Sequence, residues 1–148
     1  MLIRDIMSYN ATRIGVDSTM QRAAEIVALS QASDLMVVDD DNNFVGVLSE
    51  GDLIRAVLPK FEEMMLSGGS LAEAFDLFID NGRELAVAPI EPLVIRDPIS
   101  LTPRDKALKA ATIMVSKQIR RLPVVDAGKL IGTVSRADVC RAVLAGND

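Results

Sequence analysis

The thirteen residues from Gly46 to Leu58, GVLSEGDLIRAVL, return from Gly132 to Leu144 as GTVSRADVCRAVL. Gly, Ser, Asp, Arg, Ala, Val and Leu keep their places in both. The duplication extends upstream, where LMVVD (Leu35 to Asp39) corresponds to LPVVD (Leu122 to Asp126). The spacing between copies changes by one residue at the intervening turns, DDNN against AGK, where a deletion is absorbed at the surface. A unit of this size leaves one side of a small sheet uncovered, so two copies in 148 residues are expected to cover each other.

The segments before the repeated strands agree in pattern. Met20, Ala23, Ala24, Val27 and Ala28 follow the i, i+3, i+4, i+7, i+8 spacing of a buried helical face, and Ala107, Ala110, Ala111, Met114 and Val115 occupy the corresponding places. Each copy reads as β-α-β-β-α. The first has strands at about 12–16, 35–39 and 44–48 and helices at about 19–30 and 50–58. The second has strands at about 99–101, 122–125 and 130–134 and helices at about 104–117 and 136–144. The fold class is therefore α/β (α+β), with repeats at residues 1–58 and 92–148 packed about a pseudo-twofold axis.

Residues 59–91 match neither copy and form a partly helical connector. Ser70-Leu71-Ala72-Glu73 is a capping-box pattern opening a helix that runs to about Asp80, where Asn81-Gly82 supplies a stop. Pro89 and Pro92 keep the next stretch extended, and the apolar run from Leu85 to Ile95 is expected to be buried.

Composition narrows the function. The net charge is −5 and aromatic residues are 3% of the chain, which disfavours nucleic acid as a partner. No apolar run reaches the roughly 18 residues of a membrane span, and the opening MLIRDIM lacks the apolar core of a signal peptide. Histidine is absent and Cys140 is the single cysteine. That pattern argues against a zinc site or an activated nucleophile and suits a reducing cytoplasm. Asp39-Asp40-Asp41-Asn42-Asn43 lacks the glycine and distal glutamate of a calcium loop and reads as a hairpin turn. No catalytic residue, metal ligand or required cofactor is expected, and the chain reads as a non-enzyme.

Order, spacing and duplication together, with DIM at Asp5–Met7, LPVVD and GTVSRAD, resemble a tandem CBS domain pair, or Bateman module. The resemblance implies a regulatory sensor that binds an adenosine-containing ligand (AMP, ADP, ATP or S-adenosylmethionine) in clefts between the repeats. It also implies a homodimer of pairs. With no room for an effector domain in these residues, the output would act in trans on a regulated protein of unknown identity. A module with empty clefts, serving only interaction or dimerisation, is the alternative.

The repeated Ser49-x-x-Asp52 and Ser135-x-x-Asp138 can cap the helices that follow. The resemblance gives the same four residues a second role, with Asp52 and Asp138 accepting from ribose hydroxyls and Ser49 and Ser135 beside them. By family position Ile14, Met36, Leu101 and Pro123 would line the adenine slot, Met36 standing where the family pattern has proline. Arg120, Arg121 and Arg136 are the phosphate candidates, since a guanidinium can hold two oxygens at once. Copy one has Ser33-Asp34 in place of Arg120-Arg121 and Glu50 in place of Arg136, so the two clefts are expected to be unequal.

Overall fold

The structure is a computed structural model that describes residues 1–58 and 68–145; the first part of the connector, 59–67, lies outside the described residues. In the first repeat, β1 (Arg13–Gly15) leads to α2 (Met20–Ser30), β2 (Asp34–Val38), β3 (Phe44–Ser49) and α3 (Glu50–Val57). A short helix, α1 (Ile3–Ile6), precedes them. After α4 (Leu71–Leu85), a 3-10 turn at Glu91–Leu93 and β4 (Ile95–Arg96), the second repeat continues with α5 (Ala107–Lys117), β5 (Arg121–Asp126), β6 (Lys129–Ser135) and α6 (Arg136–Leu144). This is the expected mixed α/β architecture.

β1 runs parallel to β2, and β2–β3 and β5–β6 are antiparallel hairpins. The β5–β6 turn is Ala127-Gly128 with both residues at positive φ (50° and 78°), the backbone that matches strand twist in a two-residue hairpin. In the other hairpin Asp39 Oδ1 accepts from the amides of Asp41 and Asn43. The aspartate run is thus a self-bonded turn. The expected strand at 99–101 contributes a single parallel bridge, Leu101 to Val124.

Segments are exchanged between the repeats. Residues 1–8 pack on the second repeat: the Ala107 amide donates to the Met1 carbonyl, that of Ile3 to Asp105, and Ser8 bridges Thr133 on β6. The middle of the chain returns the arrangement. The Met20 amide donates to Ala88, that of Ile90 to Ser18, and β4 pairs with β3. This exchange explains the repeated glycine. A Cβ on Gly46 would collide with the carbonyl of Ile95, and one on Gly132 with the carbonyl of Ser8. The crossing strand can approach only a residue without a side chain.

Three apolar clusters follow. One joins Ile14, Met20, Ala23, Leu35, Val37, Leu48 and the incoming Ile90. Another joins Leu101, Ala110, Met114, Leu122, Val124 and Val134 to the incoming Ile3, Ile6 and Met7. Between the repeats, Met36 and Val38 pack on Leu130, with Phe44 and Val47 at the edge. Polar contacts close this interface: Asn42 Nδ2 and Arg13 Nη2 both donate to the Leu130 carbonyl, at 2.9 and 3.3 Å.

Several expectations are corrected. The connector helix does not stop at Asn81-Gly82 but continues to Leu85. Asn81 Nδ2 donates to the Val57 carbonyl at 3.2 Å and Leu85 packs against the first core, so tertiary contacts carry the helix through two poor formers. Pro92 lies in a 3-10 turn, where its missing N–H is not needed, so the stretch is not extended throughout. Val87 and Ile95 are exposed, although Ile90 between them is fully buried. The helix expected from Arg104 begins at Ala107, after a turn in which Asp105 accepts from the Thr102 amide. On the two repeat helices Ala24, Ala28 and Val115 face outward, the last 80% exposed. The buried stripe is narrower than the spacing suggested.

Candidate functional site

In both repeats a strand ends in a serine and turns directly into a helix. Ser49 Oγ accepts from the Asp52 amide at 3.1 Å, and Asp52 Oδ2 accepts from the Ser49 amide at 3.1 Å and its hydroxyl at 2.8 Å. Arg55 Nη2 donates to the other carboxylate oxygen at 2.6 Å. Ser135 and Asp138 repeat the capping box at 3.1 and 2.9 Å, with Arg141 3.5 Å from Asp138 Oδ1. Burial by itself raises the Asp52 carboxyl. The Ser49 amide and hydroxyl and Arg55 outweigh it and hold the group below its ordinary value.

At this end of the fold the two repeats meet around Ser33-Asp34 and Arg120-Arg121. The relation between them is symmetric in the backbone, since the Glu50 amide donates to Ser33 and the Arg136 amide to Arg120. It is opposite in charge. Two clefts open here, one beside the N-terminus of α3 and one beside that of α6.

The first cleft, about 410 Å³, is lined by Ser33, Asp34, Ser49 and Glu50 from the first repeat and by Arg120 and Arg121 from the second. Its apolar surface comes from Val47, Ile95, Pro98, Ile99, Leu122 and Pro123. Burial raises the Asp34 carboxyl above its ordinary value. Arg121 and the Ser33 hydroxyl pull the other way, while Asp52 and Glu50 add to the rise. The second cleft, about 390 Å³, is lined by Ser33, Arg120, Arg121, Ser135, Arg136 and Ala137, with no carboxylate among these residues. Arg121 is oriented by a 2.7 Å bond from Nη1 to the hydroxyl of Thr133, a fully buried residue.

The site residues named from sequence divide accordingly. Ser49, Pro123, Arg120 and Arg121 stand on the wall of the first cleft, and Ser135, Arg136 and both other arginines on that of the second. Asp52 and Asp138 are occupied by their caps and are not among the lining residues. Ile14, Met36 and Leu101 are buried in the three apolar clusters. Arg136 is partly committed, because its Nε and Nη2 donate to the carbonyls of Ile119 and Met114 at the end of α5. Ile95, Pro98 and Ile99 were missed as cleft residues. Their local signal was the apolar residues Val94, Ile95 and Ile99 around Arg96-Asp97, but their position beside α3 depends on the pairing of β4 with β3.

The CBS domain family matches the chain twice, over residues 3–59 and 87–145. The chain is a tandem CBS domain protein. It is similar to MJ1225 of Methanocaldococcus jannaschii, at 27% identity over 99% of this chain and 43% of that protein. It is also similar to MJ1426 of the same organism, at 27% identity over 97% of this chain and 92% of that one. The CBS pair thus spans less than half of the first relative and nearly all of the second. Among solved structures it is similar to CBSX2 of Arabidopsis thaliana in complex with AMP, with a TM-score of 0.72 and 26% identity over 97% of this chain and 96% of that one. No helix among the described residues is long and apolar enough to cross a membrane.

Proposed function

We propose that this CBS pair is a regulatory module that binds an adenosine-containing ligand between its repeats and acts in trans on another protein, without catalysis of its own. One observation carries the reading: a cleft of about 410 Å³ places an apolar wall, the Ser49 helix start and two arginines within one opening. Apolar side chains suit an adenine face, hydroxyl and helix amides suit ribose or phosphate oxygens, and a guanidinium pair suits phosphate. The AMP complex of the similar CBSX2 supports the same ligand class. AMP, ADP, ATP and S-adenosylmethionine are the compounds to test.

The module is further proposed to work as a cytoplasmic homodimer. The groove between α5 and α6, lined by Leu108, Ala111, Val139, Val143 and Leu144, supports self-association. The corresponding face of the first repeat is narrowed by α4 through Gly82, Leu85 and Ala86. One observation favours the alternative, a ligand-free interaction module: both Ser–Asp pairs are satisfied as caps.

Calorimetry and thermal shift on ligand-free protein decide between the readings. Saturable binding of at least one of the four compounds, weakened by Arg120→Gln, is expected. A folded protein that binds none of them leaves the interaction module as the function.

A further inference from the structure

The connector helix α4 offers apolar residues on two edges. Its C-terminal half is held by the first repeat: Leu85 joins the core around Ile90, Asn81 Nδ2 donates to the Val57 carbonyl, and Gly82 and Ala86 close on the groove between α2 and α3. The other edge lies toward its N-terminus. Leu71, Phe75 and Ile79, spaced four apart and so on one face, stand 74, 63 and 39% exposed. In the second repeat the counterpart groove, between α5 and α6, is open over about 540 Å³, with Leu108, Val143 and Leu144 all exposed.

Charge separates these two surfaces. α4 presents Glu73, Asp76, Asp80 and Glu84 to solvent against Arg83 alone. α5 has no acidic residue and, with the residue before it, presents Lys106, Lys109 and Lys117. Asp105 lies 3.4 Å from Lys109, an exposed pairing of little strength. On α6, Arg141 is matched by Asp138. The helices of the first repeat lack this basic character, since Arg22 and Arg55 face Glu25, Glu50 and Asp52.

We propose that in the homodimer α4 of one copy lays its Leu71–Phe75–Ile79 edge in the α5–α6 groove of the second copy and receives the same contact in return. The inference rests on the self-association reading above and names the surface that the groove receives. A reciprocal contact of this kind closes at two copies. It buries both apolar surfaces, sets an acidic helix against a lysine-rich one, and joins the first repeat of each copy to the second repeat of the other. Pairing groove to groove would instead bring two lysine-rich helices together and leave the α4 edge in water.

Sedimentation of the full chain tests this with Phe75→Ser on the α4 edge and Leu108→Ser in the groove, both exposed positions whose folding circular dichroism checks. Leu71→Ser is a second probe of the α4 edge. Each variant is expected to raise the dimer dissociation constant at least about tenfold. Mixing Phe75→Ser with Leu108→Ser is expected to give a dimer tighter than either alone, because one chain keeps its α4 edge and the other its groove. Added salt is expected to weaken the parent dimer, since the charges are exposed and screened. If Phe75→Ser and Leu71→Ser dimerise as tightly as the parent while Leu108→Ser dissociates, the α4 contact is overturned and a groove-to-groove homodimer stands. Absence of recovery on mixing, or of any salt dependence, overturns it as well. A parent chain that stays monomeric removes the self-association reading, and this inference falls with it.

Discussion

The hydroxyl and amide of Ser49 both donate to one oxygen of Asp52, at 2.8 and 3.1 Å, while Asp52 returns its own amide to the same hydroxyl. The aspartate of the repeated S-x-x-D is therefore a structural partner of its serine before any ligand arrives. Asp52→Ala is expected to cost about 1 kcal/mol, the ordinary value of a helix cap. Asp138→Ala, which breaks the matching box, is expected to cost a similar amount by chemical denaturation. Because the folded carboxyl of Asp52 is held below its ordinary value, its contribution is complete above the unfolded pKa near about 4. It is lost as pH falls through the lower, folded value. Asp52→Asn should flatten that part of the acid limb, and an unchanged slope would remove the carboxylate from the cap.

Asp34 carries the opposite sign. Burial raises its folded pKa, so the fold favours the protonated form and stability falls as pH rises from the unfolded value toward the folded one. Asp34→Asn is expected to have a higher Tm than the parent at neutral pH. The gap should close near about pH 3, where both side chains are neutral. Scanning calorimetry of the two ligand-free proteins at both pH values checks this.

The repeated glycines face a crossing carbonyl in each half. Gly132→Ala must displace the Ser8 segment and Gly46→Ala the Ile95 segment. Each is expected to destabilise by about 1–3 kcal/mol, the usual range for overpacking. Gly128→Ala meets nothing within 4 Å but is strained at φ 78°, which makes it a control with a different cause. Hydrogen exchange separates the two, since the crossing-strand variants should lose protection at Ser8 or Ile95 first.

Met36 is 1% exposed and packs with Val38 and Leu130 across the repeat interface. Met36→Ala is expected to cost about 2–5 kcal/mol through the cavity it leaves. Met36→Leu should cost under about 1.5 kcal/mol. Equal losses for the two, measured by urea unfolding, would show that volume at this position is not what joins the repeats.

Local chemistry was readable in the residues. α6 begins and ends where its capping serine and last apolar residue indicated, and the two hairpins follow their turn residues. The pseudo-twofold pair followed from duplication alone. What escaped was non-local. Neither Ile3 nor Ile90 announces which repeat it will enter, because an apolar residue at a chain segment's end satisfies any open core. The walls of the clefts escaped for the same reason, Ile95 and Ile99 being brought to α3 by a two-residue strand. Three of the four residues assigned to an adenine slot proved to be interior packing, since an apolar strand residue is compatible with either place. The charge asymmetry was legible, but its geometry was not: Asp34 and Arg121 line the same cleft.

The exchanged segments make the two halves a clasp. Cutting the chain within 59–67 would yield two fragments, one carrying the N-terminal segment that bridges β6 and the other carrying β4, which pairs with β3. Neither alone could close its apolar cluster, because Ile3, Ile6 and Met7 would leave with one piece and Ile90 with the other. Mixed together, the fragments can restore every pairing without the covalent link. A CBS repeat in this chain is therefore a unit of sequence, while the smallest unit that can fold is the interlocked pair.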